Sequence, residues 1–235
     1  MTDTIKTNIE LKTNYKGFLI DLIIYIAVMF LVRELYFPKV SFIVNGLFWS
    51  LTTLVVASWR MKVRGVSWKD LGLKKPNDLW KSLGVSIVIF VSIMISIIIF
   101  ELIKDNLNLS VSSDNSAESA VSKFGDLKGN WLVFFSIIPM ILLESFLEEL
   151  LDRGFLMNWL EKLFSTTSFA TVIAVLLQAI IFGFRHSNDL SERSITVGII
   201  GLIMGIAYVK FGRNLWPLII AHCILNSMSM VERVL

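Results

Sequence analysis

The sequence predicts an all-α, polytopic transmembrane helix bundle of about seven spans, with eight as the upper count. Three observations carry that reading: 55% of the 235 residues are hydrophobic, only 17% are charged, and the mean hydropathy is +0.71. A soluble domain of this length needs far more charge to cover its surface, whereas a lipid-embedded one can present apolar side chains all round. The length suits a single integral-membrane domain over 1–235. With 13 Gly, 4 Pro and one Cys, collagen-like, disulfide-scaffold and disordered readings fail, and Cys223 has no partner for an internal disulfide. The net charge of +3 is read by location, because Lys and Arg crowd the cytoplasmic loops of membrane proteins; no nucleic-acid partner is expected.

A spanning helix needs roughly 20 largely apolar residues, and runs near 17–37, 41–59, 82–103, 131–150, 168–186, 195–211 and 215–231 meet that need. In the first, the stretch Phe18 to Val32 leads into Arg33 and Glu34 with no small-residue cleavage site, so it is expected to remain as an anchor. The second and third are joined by the most basic stretch, with Arg60, Lys62, Arg64, Lys69, Lys74, Lys75 and Lys81 against Asp70 and Asp78, which predicts a cytoplasmic loop. Alternation then puts the N-terminus inside, in agreement with Lys6, Lys12 and Lys16. It puts 104–130 outside, where Asp105, Asp114, Glu118 and Asp126 outnumber Lys104, Lys123 and Lys128. An Ile-, Lys- and Asn-rich composition points to a bacterial cell membrane. Trp59, Trp80, Trp131, Trp159 and Trp216 fall near predicted span ends, as interfacial anchors do. Gly198, Gly201 and Gly205 predict close helix packing in the sixth span. Cys223 reads as a small buried hydrophobe, Asp21 and Gln178 as partners of other helices, and the basic loop as a contact for anionic lipid.

Ionisable groups in hydrocarbon cost at least ~2.5 kcal/mol each, so each calls for a partner or a function. The fourth span runs into Glu144, Glu148, Glu149, Asp152 and Arg153; the fifth ends in Phe182, Gly183, Phe184, Arg185 and His186; the seventh carries His222 and Asn226. Residues four apart share a helix face, so Glu149 can pair with Arg153, Glu144 stacks on Glu148, Phe182 supports His186, and His222 lies beside Asn226. Glu148, about 100° round the helix from Glu149, is left to face a different cavity. A carboxylate without a cation there suits a general base working near pH 7. With an imidazole it can activate water, and a second imidazole with a carboxamide can donate to an oxyanion. The same Glu148, His186 and His222 are also the ligands a zinc ion would use, although the compact His-Glu-x-x-His motif is absent; no cofactor is assigned and zinc stays open.

Glu148-Glu149-x-x-x-Arg153, Phe182-x-x-x-His186 and His222-x-x-x-Asn226 occur in the order of the CPBP family, which the chain resembles. These are the CAAX protease and bacteriocin-processing, or Abi, intramembrane proteases. Arg153-Gly154 and Leu71-Gly72-Leu73 add to the similarity, and the motif-bearing catalytic core covers about 131–231. The resemblance implies an all-helical bundle with its site inside the membrane. It implies an endopeptidase hydrolysing a peptide bond in a membrane-associated peptide or protein. It also implies Glu148 and His186 as activators of water, His222 and Asn226 as the oxyanion site, and Glu149 and Arg153 as structural. The alternative is a non-proteolytic membrane regulator or bacteriocin-immunity protein on the same fold; a transporter is the third class, with no inverted repeat to support it. One departure is Asp152, where the family commonly has an aromatic residue; its charge is expected to weaken the Glu149 to Arg153 pair. Simple alternation also sets Glu148 and His186 near opposite faces, so the fourth helix is predicted to be long, continuing through Asp152 to Lys162.

Overall fold

The computed structural model describes residues 2–76, 78–108, 124–125, 127–187 and 189–235, with side chains from Tyr15 onward. Asp114, Glu118, Lys123 and Asp126, on which the outside assignment of 104–130 leans, lie outside the described residues, as do the side chains of Lys6 and Lys12. The helices are α1 (Thr2–Leu31, with a tighter turn over Val32–Glu34), α2 (Phe42–Val63), α3 (Leu79–Asn106), α4 (Trp131–Leu163), α5 (Ala170–Ser187), α6 (Glu192–Lys210) and α7 (Trp216–Val234). No strand occurs among the described residues. Tyr15–Glu34 and α2 to α6 are six segments long and apolar enough to cross a membrane. The seventh helix has 19 residues and is more polar, because it brings His222, Asn226 and Ser229 to an internal cavity.

Local chemistry sets the helix starts. Ser41, Asp78 and Asn130 each accept a hydrogen bond from the backbone N–H three residues on, capping α2, α3 and α4. Pro217 occupies the first turn of α7, where its missing N–H costs nothing. As expected from the topology problem, α4 is long: 33 residues, helical through Asp152 to Leu163. It is α-helical over Trp131–Glu149, π-helical over Leu150–Leu156 and α-helical again over Met157–Leu163. The length removes the conflict between Glu148 and His186. Glu148 lies about 22 Å before the end of α4, and His186 about 24 Å after the start of the antiparallel α5, at 1.5 Å per residue. The hairpin therefore brings them to one level.

The predicted glycine stripe is the seam between α6 and α5. A Cβ on Gly201 would meet Phe182 at 3.1 Å, and one on Gly205 would meet Val175 and Gln178 at 3.2 Å. On the facing helix, a Cβ on Gly183 would collide with the Ser194 carbonyl oxygen and lie 3.0 Å from Gly198. Lipid supplies no hydrophobic drive between helices, so such close backbone approach is what holds the pair together.

At one end of the bundle Asp21 is fully buried between Arg60 of α2 and Arg64 at the C-terminal cap of α2, and also accepts from the Trp159 indole N–H at 3.1 Å. The expected interhelical partner of Asp21 is thus found. Trp159 is no interfacial anchor: it is 2% exposed and stacked on Phe155. At the same end the Leu215 N–H donates to the Gly72 carbonyl at 3.0 Å, and the Tyr208 hydroxyl to the Leu71 carbonyl at 2.8 Å. Gly72 has φ +98, and a Cβ there would strike the Arg213 carbonyl oxygen, which gives Leu71-Gly72-Leu73 its physical reason. Arg213 pairs with Glu161 at 2.7 Å, and these hydrogen bonds push the guanidinium pKa up. The basic residues of the 60–81 stretch and of the α6–α7 turn therefore share one end. The opposite end is tied by Gly129 N–H to Val234 O at 2.7 Å and by Lys104 to Glu192 at 3.0 Å. Gln178 departs from expectation, since neither of its amide atoms has a hydrogen-bond partner among the described residues. Cys223 is half-buried against the core, its thiol 3.9 Å from the Leu142 carbonyl.

Adding one methyl at the α5–α6 seam overpacks it, so Gly183→Ala is expected to destabilise by about 1–3 kcal/mol. Gly84→Ala, at an exposed α3 position with open space around it, is expected to stabilise by about 0.5–1 kcal/mol. Denaturation of both variants in detergent by SDS titration, read by tryptophan fluorescence, measures the contrast.

Candidate active site

From Leu147 to Met157 every residue of α4 is buried, so this stretch faces protein on all sides and cannot send its charges to water. Each charge is met from another helix. Glu149 accepts from Arg153 at 3.0 Å and from His222 Nδ1–H of α7 at 2.7 Å. Arg153 also reaches the Gly201 carbonyl at 3.5 Å and lies 4.4 Å over the Phe182 ring. Asp152 accepts from Arg185 of α5 at 2.8 and 3.3 Å. The π-helical segment carries Asp152 and Arg153; such segments recur where side chains must be re-aimed.

Two expectations are corrected here. Asp152 does not weaken the Glu149 to Arg153 pair, because its charge is taken by Arg185. Nor is Glu148 without a cation: the same guanidinium donates to its Oε1 at 3.3 Å. Arg185 was missed as a site residue, yet a signal was present. An arginine at the end of an apolar helix needs a carboxylate, and Asp152 was the acid left over.

Both imidazoles converge on Glu148. His186 Nδ1 lies 2.7 Å from the Phe182 carbonyl, which can only accept, so Nδ1 carries the proton and Nε2 is presented to Glu148 Oε1 at 3.5 Å. The Phe182 ring meets the His186 ring edge-on at 4.6 Å and that of His222 at 6.4 Å, fixing both planes. His222, with Nδ1–H on the Glu149 carboxylate, presents Nε2 to the other Glu148 oxygen, also at 3.5 Å. Both contacts are longer than a direct hydrogen bond, and both groups line the cavity, where a water beside them can reach carboxylate and ring at once. Asn226 uses one amide N–H on the Ser145 hydroxyl at 2.8 Å, and Ser145 in turn donates to the Ile141 carbonyl at 2.9 Å, which sets the carboxamide plane. Glu144 takes the Ser50 hydroxyl of α2 on Oε1.

Glu144, Glu148, Phe182, His186, His222 and Asn226 line one cavity of about 320 Å³, whose lining also includes Arg33, Arg193 and Arg233. The structure thus brings Glu148, His186, His222 and Asn226 together from α4, α5 and α7, with Phe182 beside them and Glu149 and Arg153 packed behind. Beside His186, the turn before α6 is organised by Asp189, which accepts from Ser191 and Ser194; the Ser191 hydrogen bonds hold its carboxyl below the usual carboxylate range. Each imidazole lies against a different Glu148 oxygen, and among the described residues no group of three or more His, Cys, Asp or Glu is gathered as a metal site.

Removing one partner of a buried ion pair strands the other, so Arg185→Met is expected to cost about 3–5 kcal/mol. Adding Asp152→Leu to that variant should recover most of the loss. SDS-titration unfolding of the single and double variants tests the coupling.

A family model described as type II CAAX prenyl endopeptidase, Rce1-like, matches residues 130–228, the segment that holds Glu148, His186, His222 and Asn226. No curated protein and no solved structure matches the chain. Over residues 130–228 this integral membrane protein is similar to the Rce1-like type II CAAX prenyl endopeptidases.

Proposed function

We propose that the protein is an intramembrane endopeptidase that hydrolyses a peptide bond in a membrane-associated peptide or protein with water activated by Glu148 and His186. The observation that carries this reading is the approach of two oriented imidazole nitrogens to the two oxygens of one buried carboxylate. A water in the cavity beside Glu148 and His186 gives up a proton to them as its oxygen attacks the scissile carbonyl carbon. His186 accepts through Nε2 because the Phe182 carbonyl holds its Nδ1–H. The negative charge that develops on the carbonyl oxygen meets donors from α7. His222, whose Nδ1–H is committed to Glu149, donates from Nε2 as an imidazolium that Glu149 balances. Asn226 donates its second amide N–H, the first being held by Ser145.

Glu149 and Arg153 position these groups from outside the cavity, and Phe182 orients His186 at its wall. The matched family's description makes lipid-anchored C-terminal segments the first substrates to try. The shared basic end of the bundle supports a cytoplasmic N-terminus, in the bacterial membrane that the composition suggests.

Glu148→Gln keeps the side chain's shape and removes the base, so it is expected to abolish cleavage while insertion and folding persist. His222→Ala and Asn226→Ala are each expected to lower kcat by about 10²–10³-fold as oxyanion donors are lost. Mass spectrometry of peptides and membrane-protein fragments, from cells with equal amounts of wild type and Glu148→Gln, tests the reading. A product that vanishes in the variant establishes proteolysis and identifies the substrate. Unchanged fragments with an intact cellular phenotype turn the reading to a non-proteolytic regulator or immunity protein.

A further inference from the structure

Peptide hydrolysis needs two proton movements: one leaves the attacking water, and another must reach the departing nitrogen, because an amide anion is too poor a leaving group to depart unprotonated. Glu148 and His186 serve the first. Among the described residues the cavity holds one further acid, Glu144, on the same face of α4 one turn before Glu148, at a Cβ separation of about 5–6 Å. Its surroundings differ from those of Glu148. Both Glu148 oxygens are engaged, Oε1 by Arg185 and His186 and Oε2 by His222. Glu144 has Oε1 held by the Ser50 hydroxyl, while Oε2 is buried with no hydrogen-bond partner among the described residues. Arg33, which lines the same cavity, spends its guanidinium on the Arg185 carbonyl and lies 5.7 Å over the Trp49 ring. Two carboxylates a turn apart in a low-dielectric cavity cannot both be charged cheaply, whereas a carboxylic acid at Glu144 removes the repulsion and leaves one O–H to give.

We propose that Glu144 is the general acid of the reaction, delivering its Oε2 proton to the leaving amine nitrogen; this rests on the proteolytic reading above. The steps balance. Water loses a proton to Glu148 and its oxygen bonds the carbonyl carbon; the C–N bond breaks as the nitrogen takes the Glu144 proton; Glu148 then returns its proton to Glu144 through a water, restoring both groups.

Two measurements test this. Infrared spectra of the reconstituted protein at neutral pH should show a carboxylic-acid C=O band that is lost in Glu144→Gln and kept in Glu148→Gln; a wild type without the band overturns the proposal. The second probe is a farnesyl-cysteinyl tetrapeptide, compared with its analogue in which an ester replaces the scissile amide, since an alkoxide leaves with far less help. Glu144→Gln should lower amide hydrolysis by about 10²–10³-fold and ester hydrolysis by less than about tenfold, with Glu144→Asp restoring part of the amide rate. Equal losses on both, or none, overturn the acid role. Amide cleavage that survives Glu148→Gln brings down Glu148 as the base instead, and a wild type that cleaves no amide brings down the proteolytic reading.

Discussion

Charge matching inside hydrocarbon is the constraint on which the rest of this structure depends. A helix that carries Glu148, Glu149, Asp152 and Arg153 within six residues, all buried, has no route to water for any of them. Arg153 covers Glu149 within the helix, but the remaining acids need charge from outside it, and Arg185 of α5 and His222 of α7 supply it. Replacing such pairs by apolar residues is often neutral or stabilising, so their presence is poor evidence of a stability role. What they do is set geometry: every acid has one orientation in which it is paired, and that orientation turns Glu148 to the cavity.

The ion pairs are met only because the helices come close enough and at the right level. The glycine seam lets α5 approach α6, so that Arg153 can reach across to the Gly201 carbonyl and Phe182 can sit beneath both guanidinium groups. The length of α4 decides the level, because the helix runs past Glu148 far enough for α5 to climb back to it. At the far end of that hairpin, Glu161 pairs with Arg213 and Trp159 packs under Asp21. Both groups anchor the turn that sets the register of α5 against α4. Phe182 joins the two scales, holding His186 by its carbonyl while its ring supports Arg153 and Arg185.

Much of this was legible in the residues alone. Spans are readable because an apolar run of about 20 residues has few alternatives to a membrane helix. The Glu149 to Arg153 pair and the support of His186 by Phe182 are readable because four-residue spacing puts two groups on one face within a single helix. The polar face of α7 was legible in the same way, as His222 and Asn226. Reading became unreliable wherever the partner lay on another helix. Trp159 looked like an interfacial anchor by position and is a core residue; Gln178 looked like a partner for some helix and has none among the described residues.

The sequence by itself determined the class of fold, the long fourth helix and which side chains are too polar for lipid, because composition and helical period are local properties. Only the tertiary structure decided that Arg185 serves both Asp152 and Glu148, that His222 leans on Glu149, and that Asn226 bonds Ser145 while Ser50 holds Glu144. Those contacts join residues 33 to 94 positions apart. Their distances are fixed by helix crossing and by the π-helical re-aiming of Asp152 and Arg153, which no single helix's period contains.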